Sequence, residues 1–130
     1  MYDFNYHSPK SIQEASDIFT SSEDPKYLAG GMTLIASMKQ RLVAPTDLID
    51  LRHLNELNSI KIETNNVIIG AITTHDQISK NNEIMNKING FCKLASGIGD
   101  PAVRKMGTIG GSLANSDPAA DWPAAILALK

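Results

Sequence analysis

Two glycine pairs constrain this chain more than anything else in it. Residues 29–34 read Ala-Gly-Gly-Met-Thr-Leu, and Thr108-Ile-Gly-Gly-Ser-Leu113 repeats the pattern far along the sequence. Glycine admits backbone conformations and close approaches that a Cβ forbids, so each pair marks a place where the chain turns sharply or touches something. The first pair follows Lys26-Tyr-Leu-Ala29, a short, mostly apolar strand. It precedes Leu34, Ile35, Met38 and Leu42, which share one helical face. A strand that enters glycines and then a helix offers free backbone N–H groups beside a positive helix end, an arrangement suited to a phosphate, and Thr33 adds a hydroxyl. By itself the pair reads first as a plain βα turn: it is not G-x-G-x-x-G and no Walker Lys-Ser/Thr follows.

The flanks fix the elements around the pairs. Tyr2 to His7 alternates as an edge strand does. Ser11-Ile-Gln-Glu14 has the form of a capping box, with the Ser hydroxyl accepting from the third amide and Glu14 reaching back to the Ser11 amide. A helix of Ile12, Ala15, Ile18 and Phe19 follows. Asp47 to Leu51 supplies a third strand after Pro45. Ser59 to Glu63 and Val67 to Ala71 form a hairpin around Asn65-Asn66. Thr74-His-Asp-Gln77 is a second capping box, and residues 83–95 have the spacing of one helix. From Gly97 to Gly107 the sequence predicts a loop ending in the second glycine turn. In the last segment, Asp121 is placed to cap a helix with Pro123 in its first turn and apolar residues at 122, 125, 126 and 129. The class is α+β, with subdomains over 1–55 (βαβαβ) and 56–130, and the segment ending at Lys130 lacks a C-cap glycine or polar tail, as an N-terminal fragment of a longer protein would.

Composition removes several function classes. Twelve Lys and Arg against fourteen Asp and Glu, scattered along the chain, give a net charge of −2 and no footprint for nucleic acid. No apolar run approaches the ~20 residues of a membrane helix, and no secretory signal opens the chain, so a cytoplasmic location is expected. The single Cys92 precludes an internal disulfide and reads as a buried structural thiol. His7, His53 and His75 stand singly on different elements, as surface or capping residues, and give no metal spacing with Cys92. Arg104-Lys105 reads as a solvated pair, with phosphate contact as the other reading, and Trp122 as a core residue rather than a ring packed against a nucleotide.

The second segment, Arg104 to Pro123, crowds glycines, hydroxyls, an amide and two aspartates in a density that is costly to bury unless something polar binds. Together, Tyr27-Leu-Ala-Gly-Gly-Met-Thr-Leu34 and Thr108-Ile-Gly-Gly-Ser-Leu-Ala-Asn-Ser-Asp-Pro-Ala-Ala-Asp121 resemble the FAD-binding medium subunit of the xanthine dehydrogenase and carbon monoxide dehydrogenase family of molybdenum hydroxylases, and the resemblance covers the whole chain. It implies a two-subdomain FAD-binding fold of the vanillyl-alcohol oxidase and p-cresol methylhydroxylase type, truncated here. It carries over Ala29, Gly30, Gly31, Met32, Thr33 and Leu34 as the pyrophosphate cradle. Thr108, Gly110, Gly111 and Ser112 carry over as positions along the rest of the cofactor, and Asp121 as the acid that bonds a cofactor hydroxyl. Many members have Asn where this chain has Ser112, which makes the Ser112 backbone N–H the firmer expectation there. The implied partners are a large molybdopterin-binding subunit, where substrate is oxidised, and a small 2Fe-2S subunit that relays electrons to the flavin. No catalytic acid–base residue and no metal ligand is expected on this chain. The alternatives are a non-catalytic nucleotide-binding or subunit-docking module, and a flavin reductase of the cell-wall precursor type; Asp117-Pro-Ala-Ala-Asp121 favours the molybdenum hydroxylase branch over the reductase.

Overall fold

The computed structural model describes residues 1–128. Its first half is a three-stranded parallel sheet. Strands β1 (Asn5–His7), β2 (Pro25–Leu28) and β3 (Asp47–Asp50) lie in the order β1-β3-β2. Helix α1 (Ile12–Ser21) connects β1 to β2, and α2 (Leu34–Lys39) connects β2 to β3. The path crosses the sheet one way and then returns, and crossovers of one hand then put the two helices on opposite faces. The core shows this in the alternation of β3. Ile49 packs with Ala15 and Leu54 on one side, and Leu48 with Leu28 and Met38 on the other. With both faces covered, all four residues of β3 are buried, Asp47 and Asp50 included.

Those two aspartates are paired at the strand ends. His7 Nε2 lies 2.7 Å from Asp47 Oδ1. Asp50 accepts from Tyr6 Oη at 2.5 Å and from the Arg52 guanidinium at 2.6 Å. Burial by itself pushes the Asp50 carboxyl up, but the hydrogen bonds from Arg52 and Tyr6 outweigh it and bring it down to about 2.

Beyond a single 3-10 turn at Asn55–Leu57, strands β4 (Ile60–Ile62) and β5 (Val67–Ile69) pair as the expected hairpin. Six helices follow among the described residues: α3 (His75–Ser79), α4 (Asn82–Lys87), α5 (Asn89–Gly97), α6 (Pro101–Met106), α7 (Ile109–Asn115) and α8 (Asp121–Ala128). They enclose Ile78, Ile84, Phe91, Cys92, Ala95, Ile109 and Trp122. The Cys92 thiol, which burial pushes up, points at the Ile78 carbonyl 3.2 Å away.

Four local expectations are corrected. At Ser11 only half of the box forms: the hydroxyl accepts from the Glu14 amide, but Glu14 turns to the amide of Lys10 at 2.8 Å. The single helix over 83–95 is two helices, because Ile88 leaves helical geometry (φ −138°, ψ 69°). The loop before the second glycine pair holds α6, which Asp100 caps through the Val103 amide with Pro101 in the first turn. Asp121 is the first residue of α8 rather than its cap. Leu129, assigned to the apolar face of that helix, lies outside the described residues.

Candidate functional site

The two glycine segments meet. The chain leaves β2 through Ala29 to Thr33 and enters α2, while the end of α6 delivers Met106 and Gly107 alongside it. Thr108 is held by an antiparallel bridge to Thr74, and α7 starts there. Between them lies a groove of about 670 Å³, lined by residues 29–34 of the first segment and by Thr108, Gly110, Gly111 and Ser112 of the second. Phe19 and Tyr27, stacked at 4.6 Å between ring centroids, form part of its rim.

The four glycines divide the work. In each pair one serves packing. A Cβ on Gly30 would stand 2.0 Å from the Met106 carbonyl oxygen, and one on Gly110 2.5 Å from that of Ala71. All four line the groove, and the other member of each pair answers to a local demand; a Cβ on Gly31 would lie 3.0 Å from Leu28 Cδ1 and 3.1 Å from Ile35 Cγ1. Gly31 has φ +74°, a conformation that favours glycine. A Cβ on Gly111 would meet only the Thr108 hydroxyl at 2.8 Å and, at 3.7 Å, Ala29 across the groove.

The segments also differ in what they offer. Among the described residues, the amides of Gly30, Gly31, Met32, Thr33 and Leu34 donate to no protein acceptor. The Thr33 side chain makes no cap bond. Five successive N–H groups without a protein acceptor, a positive-φ glycine among them and a hydroxyl at Thr33 give this stretch of the groove wall the donors that an anion needs. The second pair, expected as a turn, is instead the first turn of α7. Its amides are engaged: Ile109 with the Thr73 carbonyl, Gly110 with that of Ala71 at 2.9 Å, and Gly111 with the Thr108 hydroxyl at 3.1 Å. The Ser112 N–H, expected to be the firmer contact, donates to the Thr108 carbonyl at 3.0 Å, so the side chain is what Ser112 presents to the groove.

Asp121, which is exposed, is not among the lining residues; Asp117 is. Arg104 and Lys105 have structural partners. The Arg104 guanidinium donates to the carbonyls of Ile98 and Gly99 past the end of α5, and Lys105 pairs with Asp76. Trp122 is fully buried, with Phe91 edge-on to it at 5.2 Å.

His75 departs most from expectation. It is a buried residue on the groove wall, only 4% exposed, and its Nδ1 accepts from Trp122 Nε1 at 3.1 Å. Burial pushes its pKa down. Nothing local to Thr74-His-Asp-Gln77 announces this, because the partner is far along the chain. Among the described residues no cluster of three or more His, Cys, Asp or Glu side chains is placed to hold a metal, and no helix is long and apolar enough to cross a membrane.

A family model described as the FAD binding domain in molybdopterin dehydrogenase matches residues 2–130. The chain is 39% identical over 127 residues to the glyceraldehyde dehydrogenase medium chain of Sulfolobus acidocaldarius, covering 98% of this chain and 45% of that one. It is 43% identical to the carbon monoxide dehydrogenase medium chain of Afipia carboxidovorans, covering 93% and 42%. A crystal structure of Cu,Mo-CO dehydrogenase in its cyanide-inactivated form superposes with a TM-score of 0.95 at 41% identity, over 99% of this chain and 46% of that one. The chain thus spans less than half the length of the relatives it matches.

Proposed function

The chain belongs to the family of FAD binding domains in molybdopterin dehydrogenase, and from that premise we propose that it is the N-terminal part of the FAD-binding medium subunit of a molybdenum hydroxylase-type oxidoreductase. The observation that carries this reading is the row of free amides from Gly30 to Leu34 facing Thr108, Gly111 and Ser112 across one groove. Such a groove fits an extended dinucleotide: donors for a pyrophosphate on one wall, hydroxyls on the other, and no cation needed from Arg104 or Lys105.

The roles follow from the side chains. The first loop holds the phosphates through backbone N–H groups, with Gly31 supplying the positive φ that turns them inward. The Thr108 hydroxyl, whose lone pair is used by the Gly111 amide, keeps its hydrogen for the ligand. The Ser112 hydroxyl is free to donate or accept, and Asp121 is assigned a cofactor hydroxyl. When bound, FAD supplies the redox chemistry, taking electrons from iron–sulfur clusters and passing them to an external acceptor; the protein positions the cofactor and excludes competing reactions. The fold we assign is the two-subdomain vanillyl-alcohol oxidase and p-cresol methylhydroxylase type, with residues 1–55 and 56–130 as the two parts. The partners are a large molybdopterin-binding subunit and a small 2Fe-2S subunit.

Purification of the protein in its native complex tests this. The expected product is yellow, releases flavin on denaturation, and contains molybdopterin and 2Fe-2S chains. A colourless protein that takes up no added FAD sinks the flavin reading and leaves a nucleotide-binding or subunit-docking module.

A further inference from the structure

His75 carries a donor that no described residue of the protein uses. Its Nδ1 accepts the Trp122 indole N–H at 3.1 Å, and an indole nitrogen donates only. The ring proton therefore sits on Nε2. Trp122 is fully buried and braced by Phe91, and the His75 backbone N–H is held by the Gly107 carbonyl at 3.0 Å. The ring is thus fixed in place and in tautomer. Nε2 has no partner among the described residues, yet no buried side-chain nitrogen or oxygen among them lacks one. Nε2 is therefore open, and the opening is the groove that His75 lines.

The neighbours say what it meets there. A Cβ on Gly107 would lie 2.9 Å from His75 Nε2, so glycine at 107 keeps the nitrogen uncovered. A Cβ on Gly30 would lie 2.9 Å from the Gly107 Cα. The His75 donor therefore stands beside the first glycine loop, where the free amides begin. The nearby charges are turned elsewhere: Asp76 pairs with Lys80 and Lys105. A neutral imidazole N–H in this position extends the row of donors by one side chain.

Resting on the FAD reading, we propose that His75 is a ligand-contacting residue whose Nε2–H, its tautomer set by Trp122, donates to a pyrophosphate oxygen of the bound dinucleotide. The same donor chemistry suits an acceptor atom of the isoalloxazine ring, and the choice of probe separates the two. ADP carries the diphosphate without the flavin.

The test has two arms on the full chain. In the first, the ring nitrogens of His75 in the wild-type protein are followed by ¹⁵N NMR during titration with FAD and then ADP. The expected result is a protonated Nε2 and unprotonated Nδ1 before ligand, with the Nε2–H resonance moving downfield on addition of either. In the second, His75→Phe weakens both FAD and ADP by about tenfold or more, and His75→Gln, which restores a donor, recovers part of the loss. An Nε2 resonance unmoved at saturating FAD overturns the proposal even if His75→Phe fails to fold. A loss confined to FAD with ADP untouched moves the acceptor to the flavin ring and overturns the phosphate assignment. Failure of wild-type protein to quench FAD fluorescence at all instead defeats the reading on which the proposal rests.

Discussion

A methyl group on Gly30 would stand 2.0 Å from the carbonyl oxygen of Met106. The first glycine loop and the backbone that leads into the second segment are therefore in direct contact beside the groove that both line. Gly30 serves that approach, whereas Gly31 serves the turn.

Gly30→Ala is expected to destabilise the fold, on the order of 1–3 kcal/mol, because the obstacle is backbone that cannot rotate away. Gly90→Ala is the control: nothing lies within 4 Å of its added Cβ, and it sits inside α5. That change should stabilise by about 0.5–1 kcal/mol. Urea unfolding of the two variants, each against wild type, checks the contrast.

The Tyr6–Asp50–Arg52 cluster predicts the acid response. The folded-state pKa of Asp50 is depressed to about 2, below the ordinary ~3.9 of an unfolded Asp. Its contribution is thus complete above about pH 4 and is lost as pH falls from there toward 2. Arg52→Leu removes the guanidinium hydrogen bonds and leaves only those from Tyr6 Oη and the residue-52 backbone amide to oppose burial, which acts the other way. The variant is expected to unfold at higher pH on acid titration, and to lose about 1–3 kcal/mol at neutral pH. The two curves are separable by far-UV circular dichroism against pH; superposable acid transitions would dismiss the role given to Arg52.

Thr108 links stability to the site. Its hydroxyl caps α7 through the Gly111 amide, and the same hydroxyl hydrogen is assigned to the ligand. Thr108→Val keeps the shape and removes both. It is expected to cost about 0.5–2 kcal/mol of stability and to raise the FAD dissociation constant, while Thr108→Ser recovers both. Fluorescence titration with FAD alongside thermal unfolding distinguishes this from a cap alone, in which only the melting temperature moves.

How far the sequence could be read follows the range of the interactions concerned. Helix α1 and α3 were legible because Ser11, Thr74 and Gln77 act within one turn. Helix α6 carries the same kind of signal in Asp100-Pro101, but glycines at 97, 99 and 107 mask a helix of only six residues. The break at Ile88 was hidden because Ile84, Phe91 and Ala95 face one core whether the helix is continuous or kinked. At the site, both glycine segments announced themselves, since a close backbone approach demands glycine locally. Their unequal roles did not, because Met106 and Ala71, the atoms that Gly30 and Gly110 avoid, are distant in sequence. His75 was misread for the same reason, its partner Trp122 being on α8.

Asp121 gives the sharpest division between a site role and a helix role. It is exposed in the first turn of α8, where a carboxylate offsets the positive helix end for about 0.3–1 kcal/mol. Its assignment to a cofactor hydroxyl predicts more: Asp121→Ala should weaken FAD by about 1–3 kcal/mol, the range for a charged hydrogen bond. Asp121→Asn keeps an acceptor without the charge and should fall between. Both are to be measured by FAD titration, with circular dichroism at matched FAD saturation to register any loss of helix. If Asp121→Ala loses helix but binds FAD as wild type does, the residue belongs to α8 alone, and the groove-lining Asp117 becomes the carboxylate to test in its place.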